Sequence, residues 1–114
     1  MLPPFNERRM TMTLEQLNVV NYFVSEFREE VTDAYFKYSD WCEEEDEKEK
    51  LDLSKTIEYH VNRALCIQGC ANKVSKILGV DIEEAMSETI DSVRNYWHTD
   101  KDLFDIEVEV HKSV

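Results

Sequence analysis

The sequence is poor in the residues that interrupt helices, with two glycines and two prolines among 114 residues. It also lacks any run of about 18 apolar residues, so no membrane-spanning helix is predicted. Hydrophobic residues nevertheless make up 42% of the chain, which is too many for a disordered segment. These features predict a single domain built from long helices.

Positive charge is scarce as well. The chain has 13 lysines and arginines against 25 acidic residues, a formal net charge of −12. This charge repels nucleic-acid phosphates and anionic membranes, so neither is expected as a partner. The first residues, "MLPPFNERRMTM", carry proline and charge where a secretory signal is apolar, and a cytoplasmic location is therefore expected.

Cysteine and histidine are also few, with three of each. Cys66 and Cys70 are four positions apart and share a helical face, but the closer spacing of zinc-binding pairs is absent. His60, His98 and His111 are scattered along the chain. No zinc site is expected, and the thiols are expected to be free and buried. A glycine-rich phosphate loop and a nucleophile–base pattern are missing too.

The strongest pattern that is present is a long apolar row. "TLEQ" forms a capping box at Thr13, and the pattern predicts a helix over about residues 14–42, roughly 43 Å long at ~1.5 Å per residue. Such a helix is longer than a small domain is wide, so its row is expected to meet two other helices or a second subunit. The row alternates steps of three and four: Leu17, Val20, Val24, Phe27, Val31, Ala34, Tyr38 and Trp41.

An acidic run, "EEEDEKEK" at residues 43–50, is expected to form a linker after this helix. A second helix is predicted over about residues 54–78. Gly69 lies inside it, where a neighbouring backbone is expected to approach closely, and Gly79 ends it as a left-handed cap.

A third helix is predicted over about residues 82–97, with Asp81 as its cap. After it the period changes, because Ile106, Val108 and Val110 alternate with polar residues. This alternation predicts a short extended tail, which would pair with another chain or form no strand at all. The expected fold is therefore an all-α three-helix bundle with an acidic linker and an extended C-terminal tail. Its predicted divisions are an N-terminal arm (1–12), a helical domain (13–98) and the tail (99–114).

Four acidic side chains in "SEFREEVTDAYFKY" share the first helix: Glu26, Glu29, Glu30 and Asp33. They are either metal ligands or a solvated face. The apolar row places Glu29 outermost, Glu26 and Asp33 on the outer flank, and Glu30 beside the row. The solvated face is the favoured interpretation, because Mg²⁺ needs oxygens from facing elements.

Two segments, "EEVTDAYF" and "ANKVSKILGVDIEEAMSETI", resemble the all-α nucleoside triphosphate pyrophosphohydrolases of the MazG-like family. The resemblance implies Mg²⁺ held by carboxylate pairs on two helices and cleavage between the α- and β-phosphates. Glu26 and Glu29 match the first pair. The second pair is missing, since Tyr59 and Asn62 occupy the matching positions.

Two functions are therefore weighed. The first is a small acidic protein-binding module, an inhibitor or regulator that occupies a basic or hydrophobic surface of a protein partner and needs no cofactor. Its acidic surface either imitates nucleic-acid phosphates or only confers solubility. A homodimer is expected through the long helix. The predicted partner-binding residues are Tyr35, Tyr38, Trp41, Ile106, Val108 and Val110.

The alternative is a divergent Mg²⁺-dependent nucleoside triphosphate pyrophosphohydrolase. In this hypothesis the metal ligands are Glu26, Glu29, Glu30 and Asp33. Glu49 and Asp52, inside the acidic linker, have the Glu-x-x-Asp spacing of the missing pair.

Overall fold

The computed structural model describes residues 12–112, and this range contains helices and no strand. The helices are α1 (Leu14–Glu43), α2 (Glu47–Leu78), α3 (Glu83–Tyr96) and α4 (Leu103–His111). The predicted all-α class is confirmed, with a fourth helix in addition to the three that were expected. The molecule is elongated, measuring 52 × 24 × 21 Å, because α1 and α2 lie side by side along its length.

α1 begins at the predicted capping box. The Thr13 hydroxyl accepts a hydrogen bond from the Gln16 backbone N–H at 3.1 Å, and the Gln16 side chain accepts one from the Thr13 N–H at 3.0 Å. Gln16 also donates from Nε2 to the Leu78 carbonyl at 3.2 Å, which ties the start of α1 to the end of α2. The apolar row of α1 faces the core, with its buried members at Val20, Phe27, Val31, Ala34 and Trp41.

α2 runs antiparallel to α1, as the contacts of Trp41 with Ser54 and of Glu30 with Arg63 require. α3 then returns parallel to α1, since Ala85 lies near Val20 and Trp97 contacts Phe36. α4 lies against α1 and α2. The apolar row of α1 is thus covered by helices of the same chain. The remaining members, Leu17, Val24 and Tyr38, are half-buried, and the homodimer stays a prediction.

The connection between α1 and α2 is shorter than expected. Only residues 44–46 are non-helical, so the predicted linker over residues 43–50 and the predicted helix start at residue 54 are wrong. Asp46 caps α2 by accepting a hydrogen bond from the Glu49 N–H at 3.0 Å. Carboxylates in the first turn of α2 also interact favourably with the helix dipole, which offsets their mutual repulsion.

The junction between α2 and α3 follows the prediction. Gly79 ends α2 in the left-handed conformation with φ 68°. The Asp81 carboxylate accepts a hydrogen bond from the Glu84 N–H at 3.1 Å, and α3 then buries Met86 and Val93 in the core.

The C-terminal segment is a helix, and the predicted extended tail is wrong. Asp102 and Asp105 form a reciprocal capping box that starts α4. Leu103, Ile106 and Val110 are buried at helical spacing, so the same apolar residues that suggested alternation also fit one face of a helix. α4 therefore packs its apolar face into the core of its own chain, and this segment forms no strand.

Two further expectations about α2 and its flank are wrong. The three thiols, Cys42, Cys66 and Cys70, are exposed instead of buried. Apart from the neighbouring backbone of α2 itself, no atom of the described chain lies within 4 Å of where a Cβ on Gly69 would sit, so no other backbone approaches it. Residues 1–11 of the predicted arm and 113–114 of the predicted tail lie outside the described residues.

Candidate functional site

Glu30, the acidic residue expected beside the apolar row, is engaged by two basic side chains of α2. Its carboxylate lies 2.7 Å from Nδ1 of His60 and accepts a hydrogen bond from Nε of Arg63 at 3.0 Å. Burial raises the pKa of the Glu30 carboxyl, but the hydrogen bonds from His60 and Arg63 outweigh it, and the pKa is lowered. Glu30 therefore joins α1 to α2 as a charged contact between the two helices.

The residues around Glu30 do not suit a magnesium ion. Mg²⁺ needs several oxygen ligands from facing elements, whereas the α2 side chains that meet Glu30 are cationic or aromatic. Tyr59 and Asn62 of α2 are both exposed. Within residues 12–112 no group of three or more His, Cys, Asp or Glu side chains is arranged to hold a metal ion.

Glu49 and Asp52 do not restore the missing carboxylate pair. Both are exposed, and they precede Ser54, which is level with Trp41 near the end of α1. In an antiparallel helix pair this position is far from Glu26.

Four of the six predicted partner-binding residues lie in the core of the chain itself: Tyr35, Trp41, Ile106 and Val110. The Tyr35 hydroxyl donates a hydrogen bond to the carbonyl of Lys101. Burial, with the nearby carboxylates of Asp102 and Asp105, raises the pKa of Tyr35 to about 12. The phenol therefore stays protonated and fixes the α3–α4 connection against α1.

The other two predicted partner-binding residues, Tyr38 and Val108, keep access to solvent. The Tyr38 hydroxyl donates to the Glu109 carboxylate, and the Lys101 ammonium donates to both groups, reaching the Tyr38 oxygen at 2.8 Å. Burial and the hydrogen bond to Glu109 raise the pKa of Tyr38. This network joins α4 to α1 at the surface.

The acidic end, defined here as residues 40–52, comprises the last turn of α1, the connection and the first turns of α2. It holds eight acidic residues and two lysines, a surplus of six negative charges that is half of the net charge of −12. Nearly all of these side chains are exposed. The acidic residues are Asp40, Glu43, Glu44, Glu45, Asp46, Glu47, Glu49 and Asp52.

The acidic end is held in shape by Trp41. The indole N–H donates to the Ser54 hydroxyl at 2.8 Å, and this hydroxyl donates to the Lys50 carbonyl at 3.0 Å. The Lys50 ammonium lies 4.1 Å from the centre of the Trp41 ring, and the Tyr38 ring stacks on the same indole. Eight carboxylates are thus presented from a fixed helical hairpin.

An aromatic recess of about 210 Å³ adjoins the acidic end and shares Cys42 and Glu43 with it. Trp97 forms one wall, and it makes edge-to-face contacts with Phe36 at 6.0 Å and Tyr96 at 5.2 Å between ring centroids. Phe36 and Tyr96 are both exposed. The recess is lined by Tyr35, Tyr38, Ser39, Cys42, Glu43, Trp97 and Thr99.

Sequence reasoning missed both the recess and the role of Ser54. Trp97 lies at the end of the predicted third helix, and nothing in its local pattern indicates that it contacts Phe36 of α1. The contact between Trp41 and Ser54 depends on the register of the α1–α2 hairpin, which the short connection at residues 44–46 sets.

A comparison of the chain with protein-family models, curated proteins and solved structures gave no match. None of the helices within residues 12–112 has the length and apolar character needed to cross a membrane.

Proposed function

We propose that this chain is a protein-binding module, an inhibitor or regulator that docks its acidic end on a basic surface of a protein partner. The observation that carries the proposal is the placement of half the net negative charge on one fixed hairpin, directly beside an aromatic recess. Clustered charge of one sign steers an oppositely charged partner, and the few residues that dominate binding energy at protein interfaces are enriched in tryptophan and tyrosine.

The two parts of this surface have different tasks. The carboxylates of the acidic end attract and orient the basic partner, whereas Trp97, Phe36 and Tyr96 offer apolar area that a side chain of the partner can bury. Rigidity favours binding, since a hairpin fixed by Trp41 and Ser54 loses little conformational entropy on docking.

The hydrolase alternative ranks second. A pyrophosphohydrolase needs free carboxylates on two facing helices. Among the four acidic candidates of α1, Glu30 contacts α2, and its carboxylate is already bound to His60 and Arg63.

The proposal is tested by neutralising the acidic end. A triple variant, Glu45→Gln, Glu47→Gln and Glu49→Gln, removes three exposed charges without touching the Trp41 contacts. The matched control is Glu15→Gln, Glu83→Gln and Glu88→Gln, which removes three exposed charges elsewhere.

Tagged wild-type chain and both variants are used to capture proteins from a cell lysate, and binding of each captured protein is then measured with purified components by calorimetry. A true partner binds the wild type and the control equally and the acidic-end variant at least about tenfold more weakly, with no effect of a chelator. Equal binding to both variants would contradict the proposal, as would capture that requires a divalent cation.

A further inference from the structure

The aromatic recess lies between the last two turns of α1 and the connection from α3 to α4. Five of its lining residues, at positions 35, 38, 39, 42 and 43, share one face of α1. Trp97 and Thr99 complete the lining. At about 210 Å³ the recess is smaller than the clefts of about 300–1,000 Å³ that hold small-molecule ligands. Its size therefore fits one side chain of a partner.

Two hydrogen-bond acceptors on this face of α1 have no partner within the described chain. The Ser39 hydroxyl and the Glu43 carboxylate both line the recess, and neither makes a hydrogen bond or ion pair within residues 12–112. They are four positions apart and are therefore neighbours on the helix. A side chain that donates several hydrogen bonds can satisfy both of them.

Trp97 supplies an aromatic surface that no cation of the described chain covers. The other tryptophan, Trp41, has the Lys50 ammonium 4.1 Å from the centre of its ring. Within residues 12–112 no lysine or arginine lies over the Trp97 ring, which is partly exposed. Tryptophan is the aromatic side chain that attracts a cation most strongly. The recess thus joins an uncovered indole to an unpaired carboxylate.

The charge around the recess is negative, although one lysine lies close to Tyr38. The Lys101 ammonium is 5.4 Å from the centre of the Tyr38 ring, but it is paired with the Glu109 carboxylate and does not line the recess. Glu43 belongs to the acidic end, which has a surplus of six negative charges. Charge complementarity therefore selects a cationic side chain as the occupant.

We propose that the recess binds one arginine side chain of the basic partner, an inference that rests on the proposed function. The guanidinium is flat, so it stacks on the Trp97 indole while its N–H groups donate to the Glu43 carboxylate and the Ser39 hydroxyl. A lysine ammonium is more strongly hydrated and has no flat face to stack. A fully methylated amine or an apolar side chain lacks the donors that the two acceptors require.

Two peptides of equal charge test the choice of arginine. One has four lysines around a central arginine, and the other has lysine at all five positions. The acidic end attracts both alike, so a difference in affinity reports the central side chain. Calorimetry at low ionic strength is expected to show that the wild-type chain binds the arginine peptide at least about fivefold more tightly.

Two variants of the recess place this preference. Glu43→Gln removes the charge of an exposed side chain without breaking a contact of the described chain. Trp97→Leu keeps an apolar side chain but removes the aromatic face. Each variant is expected to reduce the preference for arginine to less than about twofold. The matched control, Glu47→Gln, removes an exposed carboxylate outside the recess, weakens both peptides alike and keeps the preference.

Backbone amide chemical shifts give the location directly. The arginine peptide is expected to shift the amides of residues 38–43 and 97–99 more than the lysine peptide does, whereas the two peptides shift residues 44–50 equally. Larger shifts elsewhere on the chain would overturn the site in the recess.

Equal affinity of the wild type for the two peptides would overturn the arginine site, as would a preference that survives in Glu43→Gln or in Trp97→Leu. The proposed function fails by a different result. The variant Glu45→Gln, Glu47→Gln and Glu49→Gln is expected to weaken both peptides, and unchanged binding of both would show that the acidic end does not dock a basic surface. Absence of binding by either peptide would contradict both proposals.

Discussion

Phe27 and Glu29 are two positions apart on α1 and lie in opposite environments, Phe27 fully buried in the core and Glu29 exposed. Phe27→Ala is expected to lower the free energy of unfolding by about 3 kcal/mol or more, since it removes a ring from a packed core. Glu29→Ala is expected to change it very little. Urea unfolding of both variants measures the difference. Equal losses of unfolding free energy would show that the acidic side chains of α1 point inward.

Glu30 gives the stability a pH dependence of known sign. Because its pKa is lowered in the folded state, the ion pair stabilises the fold fully above the ordinary carboxyl pKa of 4.5. This contribution is lost as the pH falls through the lowered folded value. Glu30→Gln is expected to destabilise the protein near neutral pH and to flatten the decline in acid.

Urea unfolding between neutral pH and about pH 3 measures this decline, with Glu29→Gln as the control that should keep it. An unchanged acid decline in Glu30→Gln would show that the contact with His60 and Arg63 contributes nothing. The position of Glu30 beside the apolar row was predictable from the heptad. The partners of Glu30 were not predictable, because the periodicity of one helix does not determine its register against another helix.

At the scale of elements, α4 shows how one pattern can satisfy two periods. Ile106, Val108 and Val110 alternate as in a strand, but Leu103, Ile106 and Val110 also form one face of a helix. The capping box of Asp102 with Asp105 is the signal that favours the helix over the strand, and it precedes Ile106, the first of the three alternating apolar residues.

Asp102→Ala is therefore expected to cost about 1 kcal/mol and to speed amide hydrogen exchange throughout α4, since it removes the acceptor for the Asp105 N–H. Asp100→Ala, an exposed aspartate just before the helix, is the control. Exchange that is equally fast in both variants and in the wild type would indicate that α4 is not a stable helix.

Gly69 is a position at which a substitution can stabilise α2. Gly69→Ala is expected to raise the free energy of unfolding by roughly 0.5–1 kcal/mol, because the new methyl group meets open space and the unfolded chain loses conformational freedom. Denaturant unfolding of the variant and the wild type at the same protein concentration measures the difference. A lower stability would mean that a contact absent from the described chain already occupies this position.

At the scale of the whole molecule, the purified protein with Mg²⁺ or Mn²⁺ is expected to release no pyrophosphate from nucleoside triphosphates. The side chains of α2 that would complete a metal site are Tyr59 and Asn62, and Glu30 is already bound by Arg63 and His60. The melting temperature is likewise expected not to rise with either metal. Metal-dependent release of pyrophosphate that Glu26→Gln abolishes would establish the hydrolase instead.

The all-α class and the order of the first three helices were predictable, because caps such as Thr13 and Gly79 and the apolar row of α1 are local features. Residues 43–50 of the acidic end were predicted as a linker because their like charges suggest repulsion. The compensating contacts among Trp41, Lys50 and Ser54 join residues on two helices. Features that depend on how helices meet were thus the ones that sequence patterns could not supply.

The two tryptophans give this molecule a pair of built-in optical reporters. Trp41 is buried with its N–H bonded and a cation over its ring, whereas Trp97 is partly open to solvent in the aromatic recess. Trp97→Phe leaves fluorescence that follows only the closure of the hairpin. Trp41→Phe leaves an emitter whose spectrum shifts when another molecule covers the recess, so docking and local opening can be followed separately without a label.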